Sequence, residues 1–384
     1  MKNPVSITSI GTISPLGRTA DEIWKHYQSD KHFFQEAEFD DGQELGGFLP
    51  EYLQVEVNSL REQNSKYRNL DKSVLCAILA GRNLNSISTL PEGTGINIGS
   101  SRGATGLFEK YHSEYIKTGK TSTYTSPSTT LGNISSWVAQ DLQLEGPQFS
   151  HSVTCSTGMH SILNSVAWIR SGMAKAFIAG GSEAPLTGFT LAQMKAMKIY
   201  AQNNQKYPCR SLDMEKTVNT MILSEAAGLV SLEESTISNP EAFIKGVGYA
   251  NEKLKHGASL SKKGICLQKS MKMAIEDSGK VEVDAVVMHA PGTIGGDRSE
   301  INAMREIFAD KLPPVTSNKW KVGHSFAASG ILSLQMAVMM LQHQEFLPVP
   351  FSNFQQKPEK LENILVNSVG FGGNAVSLLV GRNC

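Results

Sequence analysis

The 384-residue sequence lacks a net charge, a metal-type or redox-type cysteine pattern and a long apolar run. Each absence removes a class of function. With 36 lysines and arginines against 36 aspartates and glutamates, no overall field draws the chain to nucleic acid or to a membrane surface. An acidic partner would have to be met by a local patch. Cys76, Cys155, Cys209, Cys266 and Cys384 are odd in number and show no CxxC spacing, which argues against a disulfide framework and against structural zinc. A reducing, cytoplasmic setting fits them. The N-terminus has no basic region followed by an apolar stretch, and no run approaches the roughly 20 apolar residues that span a bilayer. No intact GxGxxG fingerprint is present either, so the glycine-serine turn at 99–103 gives no dinucleotide site.

What is present is alternation of strands and helices. Val5–Gly11, Gly95–Gly99, Ala176–Ala184, Ala227–Leu232, Phe243–Tyr249 and Val283–Met288 read as strands, with two more around Gly370. Helices are expected over Ala20–Gln28, Lys66–Leu84, Leu131–Gln140, Gly264–Ser278, Ser299–Phe308 and Ala327–Gln342. Residues 30–65 read as an excursion from the core layers, 105–127 as polar segments, and 189–225 as an irregular lid or binding region. The second half repeats the grammar of the first, which predicts an α/β protein built by internal duplication.

One stretch organises the rest. In Val153-Thr154-Cys155-Ser156-Thr157-Gly158-Met159-His160 a strand-like approach delivers a cysteine to a helix, whose buried face is spaced by Met159, Ile162, Leu163, Val166 and Ile169. At a helix N-terminus, unpaired N–H groups and the dipole favour a thiolate, so Cys155 reads as a nucleophile. Cysteine is also among the most buried residue types, and a plain core role stands beside that reading. His160, on the same helix, reads as structural.

Three further segments carry reactive groups into loops: 289–300 beginning at His289 and closing at Glu300, 316–325 with Lys319 and His324, and 367–375 with Phe371 between glycines. Each is weak alone. Taken with Cys155, with Ser14-Pro15-Leu16-Gly17 and with Gly180-Gly181-Ser182-Glu183-Ala184, their order and spacing resemble the β-ketoacyl-acyl-carrier-protein synthases, condensing enzymes of the thiolase superfamily. The resemblance covers essentially the whole chain.

That resemblance implies a thiolase-like fold, two α/β halves in layered α-β-α-β-α arrangement, with five-stranded sheets. Residues 1–233 would carry the nucleophile, and 234–384 the histidines, the lysine and the glycine-rich gate. It implies that Cys155 accepts the acyl chain and that His289 and His324 assist decarboxylation. Lys319 and Glu300 would pair with each other. Phe371 would gate entry, its N–H forming an oxyanion hole with that of Cys155. Thr293 would contact the phosphopantetheine arm, with Gly372 and Gly373 shaping the substrate turn. The implied reaction is decarboxylative Claisen condensation with malonyl-acyl carrier protein in fatty-acid or polyketide-type synthesis. It needs no metal and no cofactor beyond the arm that arrives on the carrier.

An acyltransferase or thioesterase, or a chain-length or initiation partner subunit, is the alternative. The expected assembly is a homodimer, or a heterodimer with a related subunit. Lys66 and Arg68, with Lys72, are candidate docking residues for the carrier, as are Lys195 and Lys198. Phe189, Met197 and Ile199 are candidates for the acyl pocket. Departures from the family pattern are Pro291 in place of a threonine, Ser224-Glu225-Ala226-Ala227-Gly228, and the altered middle of Arg210-Ser211-Leu212-Asp213. They point to a divergent member.

Overall fold

A computed structural model describes residues 3–39, 42–85, 90–131, 133–202, 205–235, 239–253, 257, 260–309 and 311–383; Cys384 lies outside them. The chain begins with β1 (Val5–Ile13), α1 (Ala20–Gln28), the hairpin β2 (Gln35–Phe39) and β3 (Gly42–Gly46), α2 (Glu51–Gln63), α3 (Lys72–Arg82) and β4 (Gly95–Gly99). It continues through α4 (Thr105–Thr118), α5 (Thr125–Thr129), α6 (Asn133–Leu142), β5 (Gln148–Phe149), α7 (Thr157–Arg170), β6 (Ala176–Glu183), α8 (Gly188–Ala196) and β7 (Ala226–Glu234). The second half is β8 (Ala242–Asn251), α9 (Ile265–Asp277), β9 (Ala285–Val287), α10 (Ile294–Phe308), β10 (Val315–Thr316), α11 (Lys319–Val322), α12 (Phe326–His343), β11 (Asn363–Gly370) and β12 (Asn374–Gly381).

Local chemistry sets the element ends. Thr19 caps α1 by accepting from Glu22 N–H, acidic residues fill its first turn, and Lys25 and His26 its last. Asp71 caps α3 in the same way through Ser73 N–H. The helix expected from Lys66 therefore starts six residues later. Thr293 caps α10, so that helix begins five residues before the apolar periodicity shows it.

Ten strands hydrogen-bond in the order β10-β9-β11-β12-β8-β1-β7-β6-β4-β5. The order has a centre. β1 and β8 meet over only three residue pairs, Val5–Ile244 to Ile7–Ala242, and on either side the pairings mirror each other. β1–β7 and β7–β6 are antiparallel, as are β8–β12 and β12–β11. β6–β4 and β4–β5 are parallel, as are β11–β9 and β9–β10. Two five-stranded sheets are thus joined edge to edge, and the topology repeats.

Helices α7 and α12 are equivalent in the repeat, each leading into the first strand of the closing antiparallel pair of its half, β6–β7 and β11–β12. They pack on each other between the sheets, α12 reaching β6 and β7 of one half and β9, β11 and β12 of the other. Helix α3 covers the outer face of the first sheet and α9 that of the second. This is the layered α-β-α-β-α arrangement of the thiolase-like fold. Among the described residues α12 is the helix long and apolar enough to cross a membrane, and it is buried here as the central core helix. Close packing of that layer depends on glycine. A Cβ added at Gly158 of α7 would lie 2.4 Å from Ala327 O.

Candidate active site

Strand ends deliver the reactive groups. In each half the parallel strands point the same way, and loops leaving their C-terminal ends are where α/β proteins build sites. Cys155 follows β5, His289 follows β9, Lys319 and His324 follow β10, and Phe371 sits in the β11–β12 turn. The layered packing brings these loops together from both halves.

The cysteine turn is tightly held. Thr154 adopts a left-handed φ of 51°, costly for a β-branched residue, and the hydrogen bonds around it hold it there. Its Oγ1 donates to Phe371 O at 2.9 Å, and its carbonyl accepts from Ser101 Oγ at 2.6 Å. Gly372 and Gly373 carry φ of 91° and 65°, a conformation glycine takes without strain, and they close the turn that places Phe371 beside the cysteine. The backbone N–H groups of Phe371 and of Cys155 itself both favour negative charge on the Cys155 sulfur. Two fixed donors on one reacting centre are the elements of an oxyanion hole.

Cys155 joins a buried apolar cluster with Leu191, Met194, Tyr200, Met221, Leu223 and Phe326, against which Ile199 packs. The His324 ring lies 5.3 Å from that of Phe326 and 5.1 Å, edge-on at 87°, from His289. Phe326 therefore joins the cluster around Cys155 to the paired imidazoles. Phe189, in α8, and Met197, at its C-terminal end, are 62% and 40% exposed and stand outside that cluster.

Burial sets the electrostatics. Desolvation, with the charge of Lys319, holds His324 down at about 3, and desolvation with His324 and Lys319 holds His289 well below the ordinary range. Both rings are neutral at physiological pH. Lys319 is itself pushed down to about 8 by burial. The same desolvation, with the Glu183 carboxylate nearby, pushes the Cys155 thiol up to about 12, against the pull of the Phe371 and Cys155 N–H groups and of Lys319. The expected thiolate is therefore not the resting form. Cys155 does precede α7, but loss of water outweighs the helix terminus.

The expected Lys319–Glu300 ion pair is replaced by other contacts. Glu300 accepts from His289 N–H (3.0 Å), Ala290 N–H (2.9 Å) and Asn367 Nδ2 (3.1 Å), so it holds the histidine loop by its backbone. Lys319 Nζ donates to Asn318 Oδ1 (3.1 Å) and Ser333 Oγ (3.2 Å) and feels the Glu300 charge through space. Thr293 accepts from Gly296 N–H at 3.2 Å, which leaves its own hydroxyl proton free to donate. Of the basic candidates, Lys66 and Arg68 are exposed, whereas Lys72 is paired with Glu225 at 2.6 Å and Lys195 with Glu44. His160 Nδ1 lies 3.1 Å from Ser156 O within its own helix, a structural contact.

One residue at the site carries no expected role. Glu183, at the end of β6, is fully buried; its Oε1 accepts from Ser101 N–H and from Ala327 N–H at 3.4 Å, and Oε2 has no partner. It links the cysteine turn to the start of α12. A glutamate closing a wholly buried strand with no other charged residue was the available signal.

Cysteine, paired neutral imidazoles and buried lysine at the meeting ends of two α/β halves define a thiolase-type acyl-transferring centre. The chain belongs to the β-ketoacyl synthase family: residues 2–236 match its N-terminal domain and residues 241–353 its C-terminal domain. It is 26% identical to the 3-oxoacyl-[acyl-carrier-protein] synthase 2 of Vibrio cholerae, over 99% of both chains. Similar solved structures include a type II PKS acyl-carrier protein in complex with its ketosynthase bound to the hexaketide (TM-score 0.84, 18% identity) and the ishigamide ketosynthase/chain length factor (TM-score 0.85, 18% identity). Both cover 100% of this chain and of their own.

Proposed function

We propose that this chain is a ketosynthase that joins an acyl group held on Cys155 to the two-carbon unit released from malonyl-acyl carrier protein. The convergence of Cys155, its two N–H donors and two neutral imidazoles carries the reading. In the first half-reaction sulfur attacks the acyl thioester carbonyl, the N–H groups of Cys155 and Phe371 take up the oxyanion, and the carrier thiol leaves with the proton lost by Cys155. In the second, His289 and His324 donate hydrogen bonds to the malonyl thioester carbonyl. Carbon dioxide departs, and the enolate attacks the acyl carbon. The C–S bond to Cys155 breaks and the thiol regains a proton.

Neutral rings suit this task, because each can donate without having to shed a charge in a dry pocket. Lys319 keeps them neutral, and Phe371, on its glycine hinge, opens the pocket between steps. Thr293 donates to the phosphopantetheine arm, which comes with the substrate; no metal or resident cofactor enters the scheme. Lys66 and Arg68 meet the acidic carrier. The same reading divides the chain at 233/234, makes the protein a dimer with itself or with a related ketosynthase-like subunit, and places it in the cytoplasm.

Acyl carriers of several lengths and malonyl carrier, given together, test it. Intact mass should show an acyl adduct that is absent in Cys155→Ala, with release of carbon dioxide and an extended product. Acylation without carbon dioxide would favour a transferase or thioesterase. Absence of acylation, with stimulation of a related subunit, would favour the chain-length or initiation role.

A further inference from the structure

The segment 211–224 touches the backbone of both histidine loops without offering a side chain to the reaction. Ser211 Oγ donates to Ala290 O at 2.7 Å, and Thr220 donates to Gly292 O through N–H (3.0 Å) and Oγ1 (2.9 Å). Asn219 Oδ1 accepts from Ile294 N–H at 2.9 Å. Farther on, Ile222 O accepts from His324 N–H at 2.7 Å, and Ser224 N–H donates to His324 O at 3.2 Å.

One charged contact anchors this strap. Lys216 Nζ lies 2.6 Å from Asp297 Oδ2, with side-chain exposures of 3% and 0%, and it also donates to Asp213 O at 2.9 Å. The Asp297 carboxylate in turn accepts from Leu212 N–H and from Gly292 N–H, both at 3.0 Å. Taking two charges out of water is costly, so a buried pair is weak evidence for stability and better evidence for a fixed geometry. The loop it holds needs fixing: after His289, Ala290 sits at φ 25° and Gly292 at φ 89°, conformations that the neighbours must impose.

We infer that the segment 211–220 is a brace that sets the His289 imidazole for decarboxylation, with Lys216, acting through Asp297, as its positioning residue. The inference rests on the role given to His289 above. Lys216 touches no reacting atom. Its ammonium keeps Asp297 a carboxylate, and a carboxylate has the acceptor capacity for Gly292 and Leu212 together. Without the ammonium, the isolated buried carboxylate takes up a proton or turns toward water, and the 290–292 loop is released. Cys155 and its donors stand on the loops after β5 and β11, so loading of the cysteine does not depend on the brace.

Full-length protein carrying Lys216→Met tests this, with the two half-reactions measured apart. Acyl transfer to Cys155 is followed by intact mass, and malonyl decarboxylation by labelled carbon dioxide. Decarboxylation should fall about tenfold or more while acylation stays within about threefold, because displacing one catalytic group by a fraction of an ångström has effects of that order. Lys216→Arg, which restores the charge, should recover most of the loss. Ser211→Ala, which removes one hydrogen bond and no charge, should slow decarboxylation alone; it carries the test if Lys216→Met does not fold. Equal losses in both half-reactions, or unchanged decarboxylation, overturn the brace while leaving the condensation reading intact. A wild-type chain that releases no carbon dioxide overturns both.

Discussion

Gly370→Ala probes the cysteine turn most directly. An added Cβ would lie 2.0 Å from Thr154 Oγ1, 2.9 Å from Cys155 N and 3.1 Å from Val153 O, where ordinary contact begins at 3.4 Å. The hydroxyl cannot simply rotate away, since it is donating to Phe371 O. Backbone must therefore move, by roughly half an ångström at Cys155 N, one of the two oxyanion donors proposed above. Overpacking of this kind costs about 1–3 kcal/mol, and mis-aiming a donor costs about 100-fold or more in rate. Gly295→Ala is the control, because nothing lies within 4 Å of its added Cβ. It sits in the first turn of α10 and should stabilise by up to about 1 kcal/mol. Thermal melts and the rate of Cys155 acylation, read on soluble protein, decide the matter. If Gly370→Ala acylates at the wild-type rate, the oxyanion assignment to Cys155 and Phe371 N–H is wrong.

Other perturbations test the electrostatics. Glu183 is pushed up to about 7 by burial, above its free-carboxyl value of 4.5, so wild-type stability falls as pH rises from about 4.5 to 7. Glu183→Gln removes that loss and gives the unpartnered oxygen position a neutral group. It should raise stability at pH 8 by at most about 3 kcal/mol, seen as a higher melting point, and make no such difference near pH 4. Because the Glu183 charge also raises the Cys155 thiol, iodoacetamide should label Cys155 faster in that variant than in wild type; equal rates would exclude the coupling. Lys321, buried beside the site, donates to His26 O and Lys31 O (3.0 Å each) and to Ser29 O, tying α1 to α11. Lys321→Met should destabilise by about 3 kcal/mol through the carbonyls it strands, and a melt within 1 °C of wild type would refute it. Lys66→Glu with Arg68→Glu should raise KM for the acyl carrier several-fold, leave kcat alone, and lose the effect at about 0.5 M salt.

The parts of the fold legible in the sequence are those whose burial is one-sided and long. Ala20–Gln28 is α1 to the residue, and Ala327–Gln342 falls one residue short of α12 at each end. Segments whose apolar residues are few or outward-facing were missed. In 30–65, α2 buries only Leu53, Val57 and Leu60. In 105–127, α4 buries only Thr105 and Tyr111 and leaves Phe108, Tyr115 and Ile116 exposed, so its pattern has no inward face to read. α8 lay inside a region read as irregular, because it buries only three residues. The family resemblance singled out Cys155, His289, Lys319 and His324, and the structure buries all four. Spacing could not show that Glu300 would prefer backbone N–H donors to Lys319, nor that Lys216 and Asp297, 81 residues apart, would meet. Those are facts of loop conformation, and no periodicity reports them.

The protonation states at the site come from one cause acting in opposite directions. Closing the pocket between two sheets removes water from every titratable group, which penalises whichever form is charged. For the histidines that form is the cation, so burial gives the neutral donors that decarboxylation requires. For Cys155 it is the thiolate, so the same burial disarms the nucleophile. No single closed geometry serves both half-reactions, since one needs the sulfur ionised and the other needs the pocket dry. In the proposed scheme a gate at Phe371 resolves the conflict. With Phe371 held by its carbonyl to Thr154 and followed by Gly372 and Gly373 at positive φ, the turn proposed to seal the pocket is also the turn that would aim the N–H groups. Arrival of a thioester carbonyl gives those donors a better acceptor than sulfur and lets negative charge pass from sulfur to oxygen as it forms. On the proposed mechanism the cysteine is activated by the group it attacks, while burial keeps the resting sulfur a thiol.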